Sequence, residues 1–432
     1  MNKFWILLTF LFLAHCSFDT KSGFWTQDKK VKEANKNIIK IFKEEIITKK
    51  EFNTNLNLRI DISNISKKGF DNLTNNSGLV SFDRNIQKSS RFKFSRIENF
   101  DYFEPDLVYD GENFVFFDDK SNLLKFDSSF KTIWKRNFYT KKEKKLKPIM
   151  TFALKKNNLI VIDNIGKIYN INFTTGNLNW SKTNKNPFNS EIKIYNDKIY
   201  AIDLNNILRC FSLKNGEELW KFKSENTLLK SNKRNSLVIK KDKIYFNNSL
   251  GDIIAIDALT GSLLWQVPTQ STNVYENAFS LKMSDLVISD DDLIFSNNRN
   301  EFYSINLLNG VLNWKQTINS SVRPIKVDKF IFTFSNEGYL FTIDHKSGNI
   351  IKITDVFKNF KKKKKNKIIP VGFVVGINEI LLTTSSGHLL IIDLKTGKNI
   401  SILKIDKEKI SRPFIFNKKV LLVKNDSIIR LN

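Results

Sequence analysis

The sequence predicts an all-β protein, an eight-bladed β-propeller made of four-stranded antiparallel blades. Three observations predict this fold: a strand-turn-strand frame recurs every few tens of residues, tryptophan occupies one fixed place in most copies, and the chain stops part-way through a copy. A repeat of this period indicates stacked supersecondary units rather than one continuous core. Most of the 432 residues can therefore belong to a single closed array.

The first residues predict export and lipid attachment. Residues 4–14 (FWILLTFLFLA) are too short to span a bilayer as a stable helix, so residues 1–15 are interpreted as a signal peptide. The motif LAHC that ends at Cys16 resembles a bacterial lipobox, although His15 departs from the small residue usual at its position. The resemblance implies that Cys16 is acylated and that Ser17 favours the outer membrane. An ordinary secretory signal with an incidental cysteine is the alternative.

Residues 16–50 are predicted to be a tether followed by an amphipathic helix. Apolar residues fall at helical spacing from Val31 to Ile47, with lysine and glutamate between them. Residues 51–432 are assigned to the propeller. Near its start, alternating apolar and polar residues predict strands at residues 56–62 (LNLRIDI) and 79–82.

Seven copies of the repeat follow from Phe114 onward, aligned on a turn glycine. That glycine is Gly176, Gly216, Gly261, Gly310, Gly348 or Gly397, and Phe130 stands in its place in a degenerate first copy. Tryptophan stands four residues after this position in the first five copies, as Trp134, Trp180, Trp220, Trp265 and Trp314. The last two copies have Lys352 and Ser401 there.

Residues 236–267 show the strands expected in each copy. The runs SLVIK, KIYFN, DIIAID and SLLWQV are separated by short turns, which predicts a four-stranded antiparallel meander. Glycine at the Thr-Gly turn can adopt positive φ, and an Asp or Asn four residues earlier can bond the turn backbone. These residues are Asn172, Asp257, Asn306, Asp344 and Asp393. Because one such sheet buries little, we expect the tryptophans to pack on the neighbouring sheet rather than to bind a cofactor.

The chain ends before an eighth copy is complete. Residues 419–423 (KVLLV) and 427–432 (SIIRLN) match the first two of the three main strand runs, and the chain stops before the turn. The missing outer strand is predicted to come from residues 56–62 or 79–96. Pairing the two ends of the chain would close the ring and remove open sheet edges.

Charge and cysteine content restrict the partners. The formal net charge of +26 would ordinarily suggest nucleic acid, but an exported protein meets little of it, so no nucleic-acid partner is expected. Two lysine-rich runs, residues 141–147 and 361–365, are interpreted as solvated loops, with contact to anionic lipid or to an acidic partner as the alternative. Cys210 is expected to be a buried apolar residue without a disulfide partner.

No motif indicates catalysis. The sequence contains no nucleophile motif, phosphate-binding loop or metal-spaced cluster. His345 and His388 are interpreted as satisfied surface residues rather than as ligands. We therefore predict no catalytic residue, no metal site and no cofactor, while carboxylates from different blades could still meet in space.

The segment KIYFNNSLGDIIAIDALTGSLLWQVPT resembles the pyrroloquinoline-quinone-type propeller repeat, and the resemblance extends from about Phe114 to Asn432. Two classes of protein carry this repeat: periplasmic quinoprotein dehydrogenases and the BamB-type lipoproteins of the outer-membrane β-barrel assembly machinery. The lipobox-like Cys16, the blade count and the size are similar to the second class. The dehydrogenases typically use a vicinal cysteine pair, and this sequence has none.

The resemblance implies a non-catalytic, lipid-anchored scaffold on the periplasmic face of the outer membrane. Its expected partners are a BamA-like barrel-assembly protein and unfolded outer-membrane proteins, bound through loops and edge strands. A quinoprotein (PQQ-dependent) dehydrogenase and a propeller that binds envelope glycan are the alternatives.

Overall fold

The computed structural model describes residues 50–61, 76, 80, 82, 86, 89–225, 233–269, 281–416 and 418–431. The chain divides into two units, Met1–Ile46 and Ile47–Asn432, and all described residues belong to the second. The predicted signal peptide, the predicted helix between Val31 and Ile47, and Cys16 lie outside the described residues.

The described chain forms eight antiparallel sheets of four strands each, which confirms the predicted eight-bladed propeller. Strands are numbered along the chain, beginning with β1 (Ser89–Lys93), which belongs to blade 8. Apart from β1, each blade uses strands that are consecutive in sequence, because hairpin turns join neighbouring antiparallel strands.

Blades 1 to 4 occupy the first half of the propeller. Blade 1 contains β2 (Val108–Tyr109), β3 (Phe114–Phe117), β4 (Leu123–Phe126) and β5 (Thr132–Arg136). Blade 2 contains β6 (Met150–Lys155), β7 (Asn158–Asp163), β8 (Lys167–Asn172) and β9 (Leu178–Thr183). Blade 3 contains β10 (Lys193–Tyr195), β11 (Lys198–Ile202), β12 (Ile207–Ser212) and β13 (Glu218–Lys223). Blade 4 contains β14 (Leu237–Lys240), β15 (Lys243–Asn247), β16 (Ile253–Asp257) and β17 (Leu263–Val267).

Blades 5 to 8 complete the ring. Blade 5 contains β18 (Val287–Ser289), β19 (Asp292–Asn297), β20 (Glu301–Asn306) and β21 (Leu312–Gln316). Blade 6 contains β22 (Ile325–Val327), β23 (Phe330–Phe334), β24 (Tyr339–Asp344) and β25 (Ile350–Asp355). Blade 7 contains β26 (Pro370–Val375), β27 (Glu379–Thr384), β28 (His388–Asp393) and β29 (Asn399–Lys404). Blade 8 contains β30 (Phe414–Phe416), β31 (Lys419–Lys424), β32 (Ser427–Leu431) and β1.

The ring closes by pairing the two ends of the propeller. Strand β1 runs antiparallel to β32, from Ser89 opposite Leu431 to Lys93 opposite Ser427. Of the two predicted donors, residues 79–96 therefore supply the outer strand. Phe92 on β1 reaches the core of blade 1, where its ring centroid lies 4.1 Å from that of Phe126. The closing strand thus also packs on the next blade.

The other strands predicted near the N-terminus are not formed by the described residues. Residues 56–61 have no ladder partner, and the alternating pattern reflects Leu58, which is buried, and Ile60, which packs beside it. The prediction of a strand at residues 56–62 is therefore wrong for its described part. Val80 and Phe82 are buried without belonging to a strand, and the Val80 amide donates to the Val375 carbonyl at 3.1 Å. In these segments burial alone produced a strand-like pattern.

The two faces of the propeller differ in what they carry. Because a complete blade has four antiparallel strands, the chain enters and leaves it at the same face, which we call the loop face. The Thr-Gly turns lie on the opposite turn face. Two single-turn helices, α1 (Lys141–Lys144) and α2 (Lys362–Lys365), lie in inter-blade connections and so on the loop face. They lie within the two lysine-rich runs predicted to be loops, residues 141–147 and 361–365; each run instead contains one helical turn.

Each repeat tryptophan packs against the turn glycine of the following blade. A Cβ atom at Gly216 would lie 2.6 Å from Cε3 of Trp180, and the φ angle of this glycine is +71°. The indole N–H of Trp180 donates to the Leu213 carbonyl at 3.0 Å, and Trp134, Trp265 and Trp314 make the corresponding bond. Glycine is therefore required both for its conformation and for the space that the indole fills. Phe130 adopts the same positive φ, +67°, in blade 1.

In blade 6 a segment from the N-terminal side covers the position where tryptophan is missing. Lys352 is buried, and its ammonium group donates to the Thr54 carbonyl at 3.2 Å and to the Leu56 carbonyl. Phe52 and Ile353 exchange backbone hydrogen bonds of 3.1 and 3.0 Å. The outer edge of this blade thus already accepts an extended segment of the same chain.

Candidate functional site at the propeller axis

Six charged side chains from six blades meet at the propeller axis. They are Asp106, Glu191, Arg234, Asp285, Arg323 and Arg412, and we call them the axial ion-pair ring. Five of them stand two residues before the first strand of their blade, and Arg234 stands three before β14. The first strand is the innermost strand of each blade, so this position places each side chain close to the axis.

Asp106 holds the first part of the ring. Its Oδ1 atom accepts from Nη2 of Arg412 at 3.0 Å and from Nη2 of Arg234 at 3.3 Å, and its other oxygen is bonded to Nη1 of Arg234. One carboxylate from blade 1 therefore joins arginines from blades 4 and 8.

Glu191 and Asp285 complete the ring. Nη2 of Arg323 lies 3.2 Å from Oε1 of Glu191 and 2.6 Å from Oδ2 of Asp285. Arg234 approaches Glu191 to 3.7 Å, and Arg412 approaches Asp285 to 3.8 Å. Acids and arginines therefore alternate around a closed circuit, and every member contacts two of opposite charge.

A buried lysine and an asparagine adjoin this ring. The ammonium group of Lys193 lies 3.1 Å from Oε2 of Glu191 and also donates to the Asn76 side-chain oxygen. The amide of Asn76 donates to Glu191 at 3.0 Å and to the Leu286 carbonyl at 2.9 Å. Burial is the main cause that lowers the pKa of Lys193. This polar network links the inner strands of blades 3 and 5.

The ring lowers the pKa values of its aspartates. Burial disfavours the charged form of Asp106, but the charges of Arg234 and Arg412 outweigh it and hold the pKa of this carboxyl below its ordinary value of 3.8. Burial likewise opposes ionisation of Asp285, and Arg323 above all holds its pKa far below the ordinary value. Both groups are therefore charged at neutral pH.

We expect the folded state to lose stability in acid. Because the pKa values of Asp106 and Asp285 are lower in the folded chain than in the unfolded one, their contribution is fully present above about pH 5 and is lost as the pH falls through 3.8 and below. Urea midpoints measured against pH should be flat near neutrality and fall steeply in this range. The Asp106→Asn variant should show a shallower fall, and an unchanged acid slope would contradict the role assigned to this carboxyl.

A cavity of about 800 Å³ opens on the loop face above the ring. Its lining includes Arg234 of the ring, Tyr102 and Phe103 from the connection after β1, and Lys233 and Lys409. Lys233 lies 3.3 Å from Glu104, and the ammonium group of Lys409 donates to the Asp101 carbonyl at 3.0 Å. Below it, the space beside Asp285, Arg323 and Arg412 is about 20 Å³, close to the volume that one water needs.

The residues singled out in the sequence do not gather into one site. The five repeat tryptophans lie on the outer strands of their blades, away from the axis. They are Trp134, Trp180, Trp220, Trp265 and Trp314. The predicted turn bonds are present: Oδ1 of Asp257, for example, accepts from the amides of Leu259 and Thr260 at 2.9 and 2.8 Å. Cys210 is buried, as predicted, and burial raises its pKa to about 12.

The two histidines occupy different environments. His345 is buried, so its interpretation as a surface residue is wrong; it fills the joint between blades 5 and 6, where Nε2 lies 2.9 Å from Oδ2 of Asp292. His388 is half-buried, with Nδ1 2.9 Å from Oγ of Ser386 and the ring edge-on to Phe360. Each histidine therefore has a neighbouring polar group within hydrogen-bond distance.

The axial ring was missed in the sequence, although a signal for it exists. A charged residue two positions before the inner strand recurs in five blades, but the sequence does not show that these positions converge. The nearby Asn76 could not be found, because it belongs to no repeat. Within the described ranges, no group of three His, Cys, Asp or Glu residues could hold a metal ion. None of the described helices is long and apolar enough to cross a membrane.

A calcium-bound quinone does not fit the residues of the ring. Calcium needs six to eight oxygen ligands, usually with several carboxylates among them. Here the carboxylates of Asp106, Glu191 and Asp285 are each engaged by two arginines. The arginine charges that neutralise these acids would also repel a cation. The ring is thus built to hold blades together rather than to coordinate a metal.

Fold and axis together define a propeller of the pyrroloquinoline-quinone repeat class whose centre is closed by ion pairs. The chain belongs to the family described as outer membrane protein assembly factor BamB, which matches residues 119–354. None of the curated proteins matches it.

Solved structures share the fold. BamB from Moraxella catarrhalis superposes with a TM-score of 0.63 at 12% identity, covering 79% of this chain and 100% of that one. A quinohemoprotein alcohol dehydrogenase from Pseudomonas putida HK5 gives a TM-score of 0.58 at 11% identity, covering 80% and 75%. The corresponding enzyme from Comamonas testosteroni gives 0.59 at 9% identity, covering 80% and 76%. At these identities the structures show the common fold alone.

Proposed function

We propose that the protein is a non-catalytic scaffold of the outer-membrane β-barrel assembly machinery. The observation that carries this proposal is the match of residues 119–354 to the assembly-factor family. In this proposal Cys16 is acylated and holds the propeller at the periplasmic face of the outer membrane. The partners are a BamA-like barrel-assembly protein and unfolded outer-membrane proteins.

The chemistry of the axis supports a scaffold rather than an enzyme. In the fold relatives named as quinohemoprotein dehydrogenases, the same architecture occurs in enzymes. Here the axial carboxylates form ion pairs with arginines. The ring therefore holds six blades in fixed positions relative to one another. A rigid ring presents its rim and loops in constant positions, which favours docking of other proteins.

The outer strands offer edges for extended polypeptide. Leu219 on β13, Leu263 and Leu264 on β17, and Leu312 on β21 are exposed on neighbouring blades. Strand edges flanked by apolar side chains are suited to β-strand addition. Blade 6 supplies an example within the chain, since Phe52 pairs with its outer strand. We propose that blades 3 to 5 accept segments of unfolded outer-membrane proteins in this way.

Affinity purification from the native envelope is expected to recover the barrel-assembly protein with the full chain. Crosslinking to unfolded outer-membrane proteins should weaken severalfold in the Leu264→Ser/Leu312→Ser variant, because the outer edges then lose apolar contact area. The matched control is Leu308→Ser, an exposed leucine on the turn face, which should crosslink as the unmodified chain does.

Two outcomes would contradict the scaffold proposal. One is consistent absence of the barrel-assembly protein while other envelope proteins, or cell-wall glycan, are recovered. The other is alcohol- or sugar-dependent dye reduction after addition of pyrroloquinoline quinone and Ca²⁺, because the ring residues leave no carboxylate for the cation.

A further inference from the structure

The loop face carries the largest concentration of lysine in the propeller. Residues 356–369, between blades 6 and 7, contain seven lysines and no acidic residue. Residues 137–149, between blades 1 and 2, contain five lysines and one glutamate. The sequence separates these runs by more than two hundred residues, but the four-stranded blades bring both to the same face.

Most of these lysines are available to an external partner. Lys147 pairs with Glu98, Lys365 pairs with Asp355, and the one glutamate of the first run pairs with Lys167. Among the described residues, no acidic side chain forms an ion pair with the exposed lysines of the two runs. These are Lys141, Lys142, Lys144, Lys145, Lys358, Lys361, Lys362, Lys363, Lys364 and Lys367.

Large apolar side chains project beside the lysines. Leu146, within the first run, is 63% exposed, and Ile369, two residues after the last lysine of the second, is 48% exposed. Tyr102, in the connection that follows β1, is 76% exposed. Tyr102 and Ile369 both lie at the mouth of the axial cavity. The loop face thus combines unneutralised positive charge with protruding apolar and aromatic groups.

The turn face lacks this combination in its described residues. Its most exposed apolar side chain, Leu308, is 72% exposed in the Thr-Gly turn position of blade 5. The neighbouring turn of the same blade is acidic: Asp290 and Asp291 connect β18 to β19, which begins at Asp292. Exposed leucines occur on both faces, but only the loop face places them within lysine runs.

We propose that the loop face is a membrane-docking surface that binds bilayers containing anionic lipid. The lysines would lie against lipid phosphates, and Tyr102, Leu146 and Ile369 would enter the interfacial region. Apolar side chains between the charges favour a bilayer over an acidic protein, because pairing of charges alone does not require them. This inference goes beyond the scaffold role and does not depend on acylation, since the charge and the apolar tips belong to the propeller itself.

Vesicle binding of the full chain tests the charge requirement, with Cys16→Ser present throughout to remove any acyl contribution. The chain should bind phosphatidylcholine vesicles containing phosphatidylglycerol more tightly than pure phosphatidylcholine vesicles, and added salt should weaken the difference. Replacing Lys141, Lys142, Lys144, Lys361, Lys362 and Lys363 by glutamine should reduce binding to anionic vesicles at least about tenfold. The matched control replaces six exposed turn-face lysines, Lys156, Lys241, Lys346, Lys395, Lys398 and Lys418, and should bind as the parent does.

A labelled cysteine tests the orientation. In the same Cys16→Ser background, an environment-sensitive fluorophore on Leu146→Cys should shift to the blue on anionic vesicles, and one on Leu308→Cys should not. Cys210 is buried and does not compete for the label. Equal loss of binding in both lysine variants, or equal shifts at both labels, would overturn the proposal. So would the absence of vesicle binding together with lysine-dependent capture of an acidic protein.

Discussion

Replacing Arg323 with methionine is expected to lower the free energy of unfolding by about 3–5 kcal/mol. The guanidinium group of Arg323 is buried and contacts the carboxylates of both Glu191 and Asp285. Without it, Glu191 and Asp285 each lose one of their two arginine partners while remaining buried. Leaving buried charges underpaired costs more free energy than the intact ion pairs contribute. Urea or thermal unfolding followed by circular dichroism measures the effect.

Two comparisons separate this effect from a general loss of charge. In the double variant Arg323→Met/Asp285→Asn, two acids and two arginines remain in the ring, so a substantial part of the stability should return. The exposed pair of Lys155 with Asp197 lies 3.2 Å apart, and Lys155→Met should change stability by less than about 1 kcal/mol. If Arg323→Met behaved like Lys155→Met, the axial ring would not be a structural hub.

Replacing Trp314 with alanine is expected to cost about 3–5 kcal/mol. Trp314 is buried between blades 5 and 6, stacks parallel to Phe302 with a centroid separation of 5.9 Å, and donates its indole N–H to the His345 carbonyl at 2.9 Å. It also fills the space above Gly348, where a Cβ would lie 2.5 Å from the indole ring. Truncation would leave a cavity that the rigid strands cannot close.

Matched variants define which part of Trp314 matters. Trp314→Phe keeps most of the apolar contact and loses the indole N–H, so it should cost clearly less than alanine. Leu308→Ala removes an exposed side chain in the turn between β20 and β21 and should be nearly neutral. Equal unfolding midpoints for Trp314→Ala and Leu308→Ala would contradict the packing role.

The repeat architecture could be predicted because its signals are local. The glycine with positive φ, the Asp that bonds the turn amides and the tryptophan four residues later fall within one hairpin, as at Asp257, Gly261 and Trp265. Ring closure could also be predicted, since an incomplete last copy must find a partner. In both cases the sequence pattern corresponds directly to a backbone requirement.

The axial ring and the segments before it could not be predicted in the same way. Asp106 and Arg412 are about three hundred residues apart, and only the closed ring brings them to 3.0 Å. The alternating pattern in residues 56–61 resembled a strand because Leu58 is buried. Leu58 is buried because this segment packs on blades 6 and 7, where the Leu58 amide donates to the Lys395 carbonyl. The periodicity of apolar residues indicates which side chains are buried. What they are buried against depends on the tertiary structure.

The pairing of β1 with β32 has a consequence for how the protein is made. Seven sheets can form from contiguous sequence as the chain emerges, but the eighth needs Ser427–Leu431, which follow all the other described strands in the sequence. Until then Ser89–Lys93 has no partner in its own sheet, and the circle stays open at one joint. The ring closes through the pairing of two strands that are very far apart in sequence. Contacts between such distant segments slow folding most. Completion of the ring is therefore a late event that requires Ser427–Leu431 to have emerged and paired with Ser89–Lys93.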